Sequence, residues 1–128
     1  MKTLRKGKKE LIVVGDRVLV RPEEGDVRTK VGLLLPASAV EKEAVQGGIV
    51  AAIGPGTPLA PPGEDDAEPW KRKGGEGRYL PMQVEIGDYA VFFRKAAMEI
   101  AFEDEKYLVV PHAAILVLVR ETHIPDGI

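Results

Sequence analysis

One serine, Ser38, two histidines, His112 and His123, and no cysteine are all this 128-residue chain has for nucleophilic or soft-metal chemistry. A serine nucleophile needs a positioned base and usually a third group to orient that base. Nothing at a recognisable spacing from Ser38 marks such a set. Without cysteine there is no thiolate zinc site, iron–sulfur cluster, disulfide or thiol nucleophile. The histidines lack ligand spacing with each other. The acidic run Glu64, Asp65, Asp66 and Glu68 lies in a proline-rich stretch that cannot preorganise a metal shell, so it reads as solvated charge. Gly54-Pro55-Gly56 follows strand-like sequence, but a phosphate cradle needs a helix N-terminus next to it, and Pro58, Pro61 and Pro62 forbid one. No cofactor and no enzymatic activity are expected.

Binding chemistry is better represented. Trp70, Lys71, Arg72, Lys73, Arg78 and Tyr79 interleave aromatics with cations, as single-strand nucleic-acid binders do. Their loop is partly acidic, and the whole chain carries 18 basic against 20 acidic residues for a net charge of -2, so nucleic acid is a poor fit. The sharper feature is Leu33-Leu34-Leu35, preceded by Gly32 and closed by Pro36. A buried strand is the default for such a triplet. Here, however, Glu23, Glu24, Asp26, Arg28 and Lys30 precede it and Glu41, Lys42 and Glu43 follow it, which places it in a long polar excursion between two good strands. Loops of that length are functional or disordered. Exposed leucines at the tip of such a loop are a segment that orders on meeting a hydrophobic groove of another protein.

The elements around these residues are short and β-rich. Leu11 to Val14 and Arg17 to Arg21 are strand material on either side of Gly15-Asp16, and Ile49 to Ile53 is stopped by Gly54-Pro55-Gly56. Tyr89 to Phe93 and Met98 to Phe102 are two further strands. Glu103 to Lys106 turns the chain, Tyr107 to Val110 extends it, and Ala113 to Val119 reads as a helical turn leading into a strand. Five to seven short strands between Gly and Pro turns, without a convincing amphipathic helix, predict an all-β small barrel or sandwich. Residues 1–10, with Lys2, Arg5, Lys6, Lys8 and Lys9, read as a basic, solvated arm. Residues 57–83, with five prolines, read mostly as an exposed loop, and residues 122–128 as a loose tail.

Composition bounds the rest. Apolar residues make up 45% and charged residues 30%, ordinary for one globular domain. No apolar run approaches a membrane span, the N-terminus lacks a signal-peptide core, and the absence of cysteine permits a reducing compartment, so a cytoplasmic protein without membrane contact is expected. The chain has no asparagine, only Gln46 and Gln83 as amides, and ten prolines, a hint of a heat-adapted source.

Five segments taken in order resemble the GroES or chaperonin-10 family: residues 15–22, 29–36, 41–42, 48–56 and 84–88, reading GDRVLVRP, TKVGLLLP, EK, GIVAAIGPG and VEIGD. The likeness runs from about Leu11 to Glu121, interrupted by residues 57–83. It implies a GroES-like irregular β-barrel over residues 11–121, assembled into a seven-membered homo-oligomeric ring that caps a GroEL-type chaperonin in its ATP-bound state and assists protein folding. Residues 23–46 would be the mobile loop, with Gly32, Leu33, Leu34 and Leu35 docking between two helices of the chaperonin. Part of 57–83 would form a roof hairpin. The family's first and last strands join neighbouring subunits, which points to Leu11, Ile12, Val13 and Val14 and to Ile115, Val117 and Val119. The loop departs from the family's Gly-Gly pair and Ile-Val-Leu: Val31-Gly32 and three leucines stand there, which stiffens the hinge and alters the groove fit.

Three other readings stay open on the sequence. A paralogue of the same barrel could have lost chaperonin binding and serve as a structural or interaction module. A small nucleic-acid-binding barrel would use the basic arm and Lys71 to Lys73. A fragment of a zinc-dependent dehydrogenase is opposed by the absence of cysteine and of a nucleotide-binding half.

Overall fold

The computed structural model describes residues 3–23, 31–38, 42, 44–59 and 78–122. Ten strands form among them: β1 (Leu4–Lys6), β2 (Lys9–Leu11), β3 (Arg17–Pro22), β4 (Val45–Ile53), β5 (Thr57–Leu59), β6 (Arg78–Leu80), β7 (Tyr89–Phe93), β8 (Met98–Phe102), β9 (Glu105–Pro111) and β10 (Ile115–Val119). Six make one antiparallel sheet in the order β10-β7-β4-β3-β9-β8, while β1-β2 and β5-β6 are separate two-stranded pairs.

Alternation along the strands sorts the side chains onto two faces. Val18 and Val20 of β3, Val50 of β4, Ala90 and Phe92 of β7, and Leu108 and Val110 of β9 share one buried cluster with Val84 and Ala114. Ile115 and Leu118 of β10, at one end of the sheet, and Ala97, immediately before β8 at the other, pack against the same cluster. A flat sheet could not bring both ends to one centre, so the sheet curls around its core, as sheet twist and closure require. The opposite face holds a second cluster of Val13, Leu19, Ala52 and Tyr107, bordered by Ile100, Phe102 and Val109. Because β3 is covered on both faces, it is apolar at three successive positions rather than alternating, and Val18, Leu19 and Val20 are all fully buried.

One irregularity makes the two faces compatible. The β3–β4 register jumps from Leu19↔Ala52 to Val20↔Val50, leaving Ala51 as an extra residue. Val50 therefore faces the inner cluster, Ala51 and Ala52 both face the outer one, and Ile53 returns to the inner one.

The structure differs from the sequence-based expectations in several places: β4 begins at Val45 instead of Ile49, and β9 begins at Glu105, inside the turn expected over Glu103 to Lys106, and runs through Pro111. Thr3 to Leu11 is no plain tail: Gly7, at φ 61, turns β1 back on β2 with Leu4 opposite Leu11, and both leucines pack on the outer cluster. Lys6 pairs with Glu105 at 2.6 Å and Lys9 with Glu103 at 2.9 Å. The arm's charges thus meet acids of the β8–β9 turn while its two leucines cover apolar surface. The strand expected over Leu11 to Val14 ends at Leu11, and Ile12 to Val14 runs on without a strand partner among the described residues. Finally, the two ends of the 57–83 segment pair as β5 and β6, whereas residues 60–77 lie outside the described residues. The bounds expected for β7 and β8 match those observed, and the helical turn before β10 is a 3₁₀ turn at His112–Ala114.

Candidate functional site

The long excursion leaves the sheet where β3 ends and returns at the start of β4. Since β3 and β4 are hydrogen-bonded neighbours, with Pro22 opposite Gly48, its two feet are side by side. Within it, Gly32 adopts φ 87, a left-handed conformation that favours glycine and bends the chain just before the leucines. Leu34 is 63% exposed, and Leu33 and Leu35 are half-buried. None of the three belongs to either core cluster. Val31 lies half-buried over a cleft that also touches Ile49, Ile86, Tyr89 and Val119. The Lys42 amide donates to the Ser38 carbonyl at 3.2 Å, one helical-type turn on the return side. Glu24 to Lys30, Ala39 to Glu41 and Glu43 lie outside the described residues.

The feet are held by a polar network. The Glu23 amide donates to the Gly47 carbonyl at 2.9 Å, and the Gln46 side-chain amide donates to the Glu23 carbonyl at 3.3 Å. From β7, the Tyr89 hydroxyl donates to Glu23 Oε1 at 3.1 Å. Arg94, one residue beyond β7, donates through Nη1 to the Gln46 side-chain oxygen and through its backbone amide to the Ala44 carbonyl at 3.1 Å. Tyr89 is nearly fully buried; burial first, then the charge and hydrogen bond of Glu23, hold its phenol well above the usual tyrosine range, so it remains a donor. Its ring end lies over Gly47, where an added Cβ would sit 2.0 Å from the hydroxyl.

Of the residues expected at subunit contacts, some face out and some face in. Ile12 and Val14 are 55% and 67% exposed, Val117 is 46% exposed, and Val119 is half-buried. Val13 turns into the outer cluster of its own subunit, Leu11 packs at that cluster's edge, and Ile115 packs against the inner one. Ile12 and Val14 border an apolar groove completed by Tyr79, Pro81, Met82 and Val84. The far end of β10 is fixed by Arg120, whose Nε and Nη2 reach the two Asp88 oxygens at 2.7 and 2.6 Å. Burial alone would raise the Asp88 pKa, but the hydrogen bonds from Arg120 and the Glu85 amide, together with the charge of Arg120, outweigh it and hold the carboxyl below its ordinary value.

Sequence reasoning missed the network at the feet and the Asp88–Arg120 clamp. Gly47-Gly48 lies just before the strand expected at Ile49, and Gly87-Asp88 just before the one expected at Tyr89. The available signal was a glycine pair inside otherwise strong strand sequence, which marks close approach by another group. That group is the Tyr89 phenol at Gly47 and the β3 backbone at Gly48. Among the described residues, no group of three or more His, Cys, Asp or Glu could hold a metal ion.

Comparison with known proteins bears on this arrangement. The family model for the chaperonin 10 Kd subunit matches residues 10–68, which takes in β2 but for its first residue, β3, the whole excursion, β4 and β5. A co-chaperonin GroES of Coprothermobacter proteolyticus is 34% identical over 110 residues, covering 86% of this chain and 95% of the relative. This chain belongs to the chaperonin-10, or GroES, family. Other GroES co-chaperonins agree: that of Solidesulfovibrio magneticus is 36% identical over 107 residues, covering 84% of this chain and 94% of the relative, and that of Pediococcus pentosaceus is 35% identical over 108 residues, covering 84% and 96%. The likeness spans nearly the whole length of these GroES chains, so it concerns the subunit and not a shared module. Residues 1–9 of this family member, which supply β1 and the first residue of β2, precede the family match.

Proposed function

We propose that the chain works as a co-chaperonin, closing the chamber of a GroEL-type chaperonin in its ATP-bound state by docking Leu33, Leu34 and Leu35, hinged at Gly32, into apolar grooves of the chaperonin. The observation that carries this reading is the solvent exposure of Leu34 at 63% within an apolar triplet held out of both cores, on a loop whose feet are pinned in the sheet. Burying a leucine fully contributes about 1.5 to 3 kcal/mol. Two of the three are already partly covered, so docking gains less than three such terms. Ordering the loop costs about 2 to 5 kcal/mol. A single loop therefore binds weakly, and capping needs several loops on one ring, where each contact raises the effective concentration of the next.

The ring, of seven subunits in the family pattern, would form by joining Leu11 to Val14 of one subunit to β10 of the next. Among the described residues, Ile12 to Val14 has strand-forming sequence but no strand partner, and β10 is an end strand of the sheet with Val117 exposed. Unused edges of this kind favour strand addition. ATP hydrolysis in this scheme rests with the chaperonin, and the chain itself is not an enzyme. A cytoplasmic location fits the absence of cysteine, and among the described residues no helix is long and apolar enough to cross a membrane.

The test is Leu34→Asp, which buries an unpaired carboxylate on docking. Native mass spectrometry should find the ring unchanged, while ATP-dependent association with chaperonin should be lost. Wild-type association by the variant would remove the loop from the mechanism. The replacement of Gly-Gly by Val31-Gly32 favours one second reading, a family member that keeps the ring without chaperonin binding; it predicts that the unmodified protein fails to associate in the same assay.

A further inference from the structure

We infer that Tyr89, Glu23, Gln46 and Arg94 form a buckle that pre-pays part of the loop's ordering by locking both of its feet to β7, which makes Tyr89 and Arg94 positioning residues for chaperonin docking. This rests on the reading of the loop as the docking element. Four features support it. Glu23 on the outgoing foot and Gln46 on the returning foot are joined to each other by the Gln46 side-chain amide, at 3.3 Å from the Glu23 carbonyl. Each is also joined to an arm from the same third strand region, Tyr89 to Glu23 at 3.1 Å and Arg94 to Gln46. The Arg94 backbone adds a bond to Ala44 at 3.1 Å, one residue further into the loop than β4 itself begins. The site is also built at a cost to its surroundings: Gly47 can carry no side chain, because a Cβ there would meet the Tyr89 phenol at 2.0, 2.4 and 2.8 Å.

Pairing of β3 with β4 already brings the feet together, so the polar arms are not required to close the loop. What they add is a fixed position for Glu23 and Ala44, the two points between which the docking segment is strung. A segment that leaves from fixed points loses fewer conformations when it seats in a groove than one that leaves from fraying strand ends. Seven identical loops would multiply a small effect per loop into a large one per ring.

Tyr89→Phe removes only the hydroxyl and keeps the packed ring. Glu23→Ala removes its acceptor, Glu23→Gln keeps an acceptor oxygen, and Arg94→Met removes the side-chain bond to Gln46 on the other foot while keeping the backbone bond to Ala44. Each is prepared in the full-length ring and titrated against purified chaperonin with ATP, well below the unfolding temperature, with Leu34→Asp alongside. Loss of one hydrogen bond corresponds to a factor of about 2 to 10. Tyr89→Phe and Glu23→Ala should therefore each weaken per-loop association by that factor, and Arg94→Met likewise. The double variant Tyr89→Phe/Glu23→Ala should be no worse than either single one, since both remove the same bond, and Glu23→Gln should bind nearly as the parent. Hydrogen exchange at the Glu23 amide should quicken in Tyr89→Phe while exchange in β9 stays unchanged.

A purely structural role would lower the melting temperature and leave association at a fixed low temperature untouched. That result, with Leu34→Asp still abolishing association, overturns the buckle and spares the docking loop. If Leu34→Asp itself associates normally, the docking reading fails and the buckle falls with it.

Discussion

Asp88 shows what a single side chain can hold in place. It is 1% exposed, accepts from both Arg120 and the Glu85 amide, and ties the end of β10 to the turn that begins β7. Its carboxyl titrates below the ordinary value of 3.8. The ionised form therefore stabilises the folded state; that contribution is complete above the ordinary value and fades as the pH falls through the lowered folded one. Asp88→Asn should destabilise the subunit by about 1.5 to 3 kcal/mol at pH 7, the range for hydrogen bonds to charged groups. It should also flatten the loss of stability that the parent shows as the pH falls below 3.8. Denaturant melts at a series of pH values check both, and a parallel shift at every pH would show that Asp88 is not titrating in this way. Nothing in the local sequence announces this pair, because its members are 32 residues apart and meet only through the β7–β10 pairing.

Among the elements, the N-terminal hairpin behaves least as its composition suggests. Five basic residues in ten suggest a solvated arm, yet Leu4 and Leu11 alternate with those charges at the spacing of a two-stranded pair and close over Leu19 and Tyr107. Removing residues 1–9 takes away one of these leucines and both ion pairs to the β8–β9 turn. Calorimetry at fixed subunit concentration should then show a melting temperature lower by about 3 to 6 °C, as expected for the loss of a half-buried leucine. An unchanged melting temperature would mean that the cover contributes nothing. By contrast, β7 and β8 were readable to the residue, since Gly87-Asp88 precedes the first and the charged residues Arg94-Lys95 and Glu103-Asp104 end the two five-residue runs. The strand expected through Val14 stops early because its remaining residues have no strand partner among the described residues.

At the scale of the whole molecule, the exposed Ile12 and Val14 on one side and Val117 on β10 on the other are surfaces a lone subunit leaves uncovered. Ile12→Asp and Val117→Asp should each leave the subunit folded, with an unchanged far-ultraviolet circular dichroism spectrum, since neither side chain is part of a core. If the proposed ring closes through these surfaces, native mass spectrometry should find it replaced by smaller species, and chaperonin capping should fail at subunit concentrations where the parent caps fully, because avidity disappears with the ring. Intact rings from both variants would place the subunit contact elsewhere.

Residue order alone was enough for the all-β class, most strand positions, the apolar triplet in its polar excursion and the exclusion of cysteine chemistry. These depend on local patterning: side-chain period, turn residues and which amino acids are present. Tertiary structure alone decided which face each strand shows to which cluster, how the Ala51 bulge reverses that facing, why Gly47 must lack a side chain, and that Glu23, Gln46, Tyr89 and Arg94 meet at the loop's feet. The hydrogen bonds at the feet join residues up to 66 positions apart. Their partners are chosen by strand order and register, which no local segment of the chain encodes by itself.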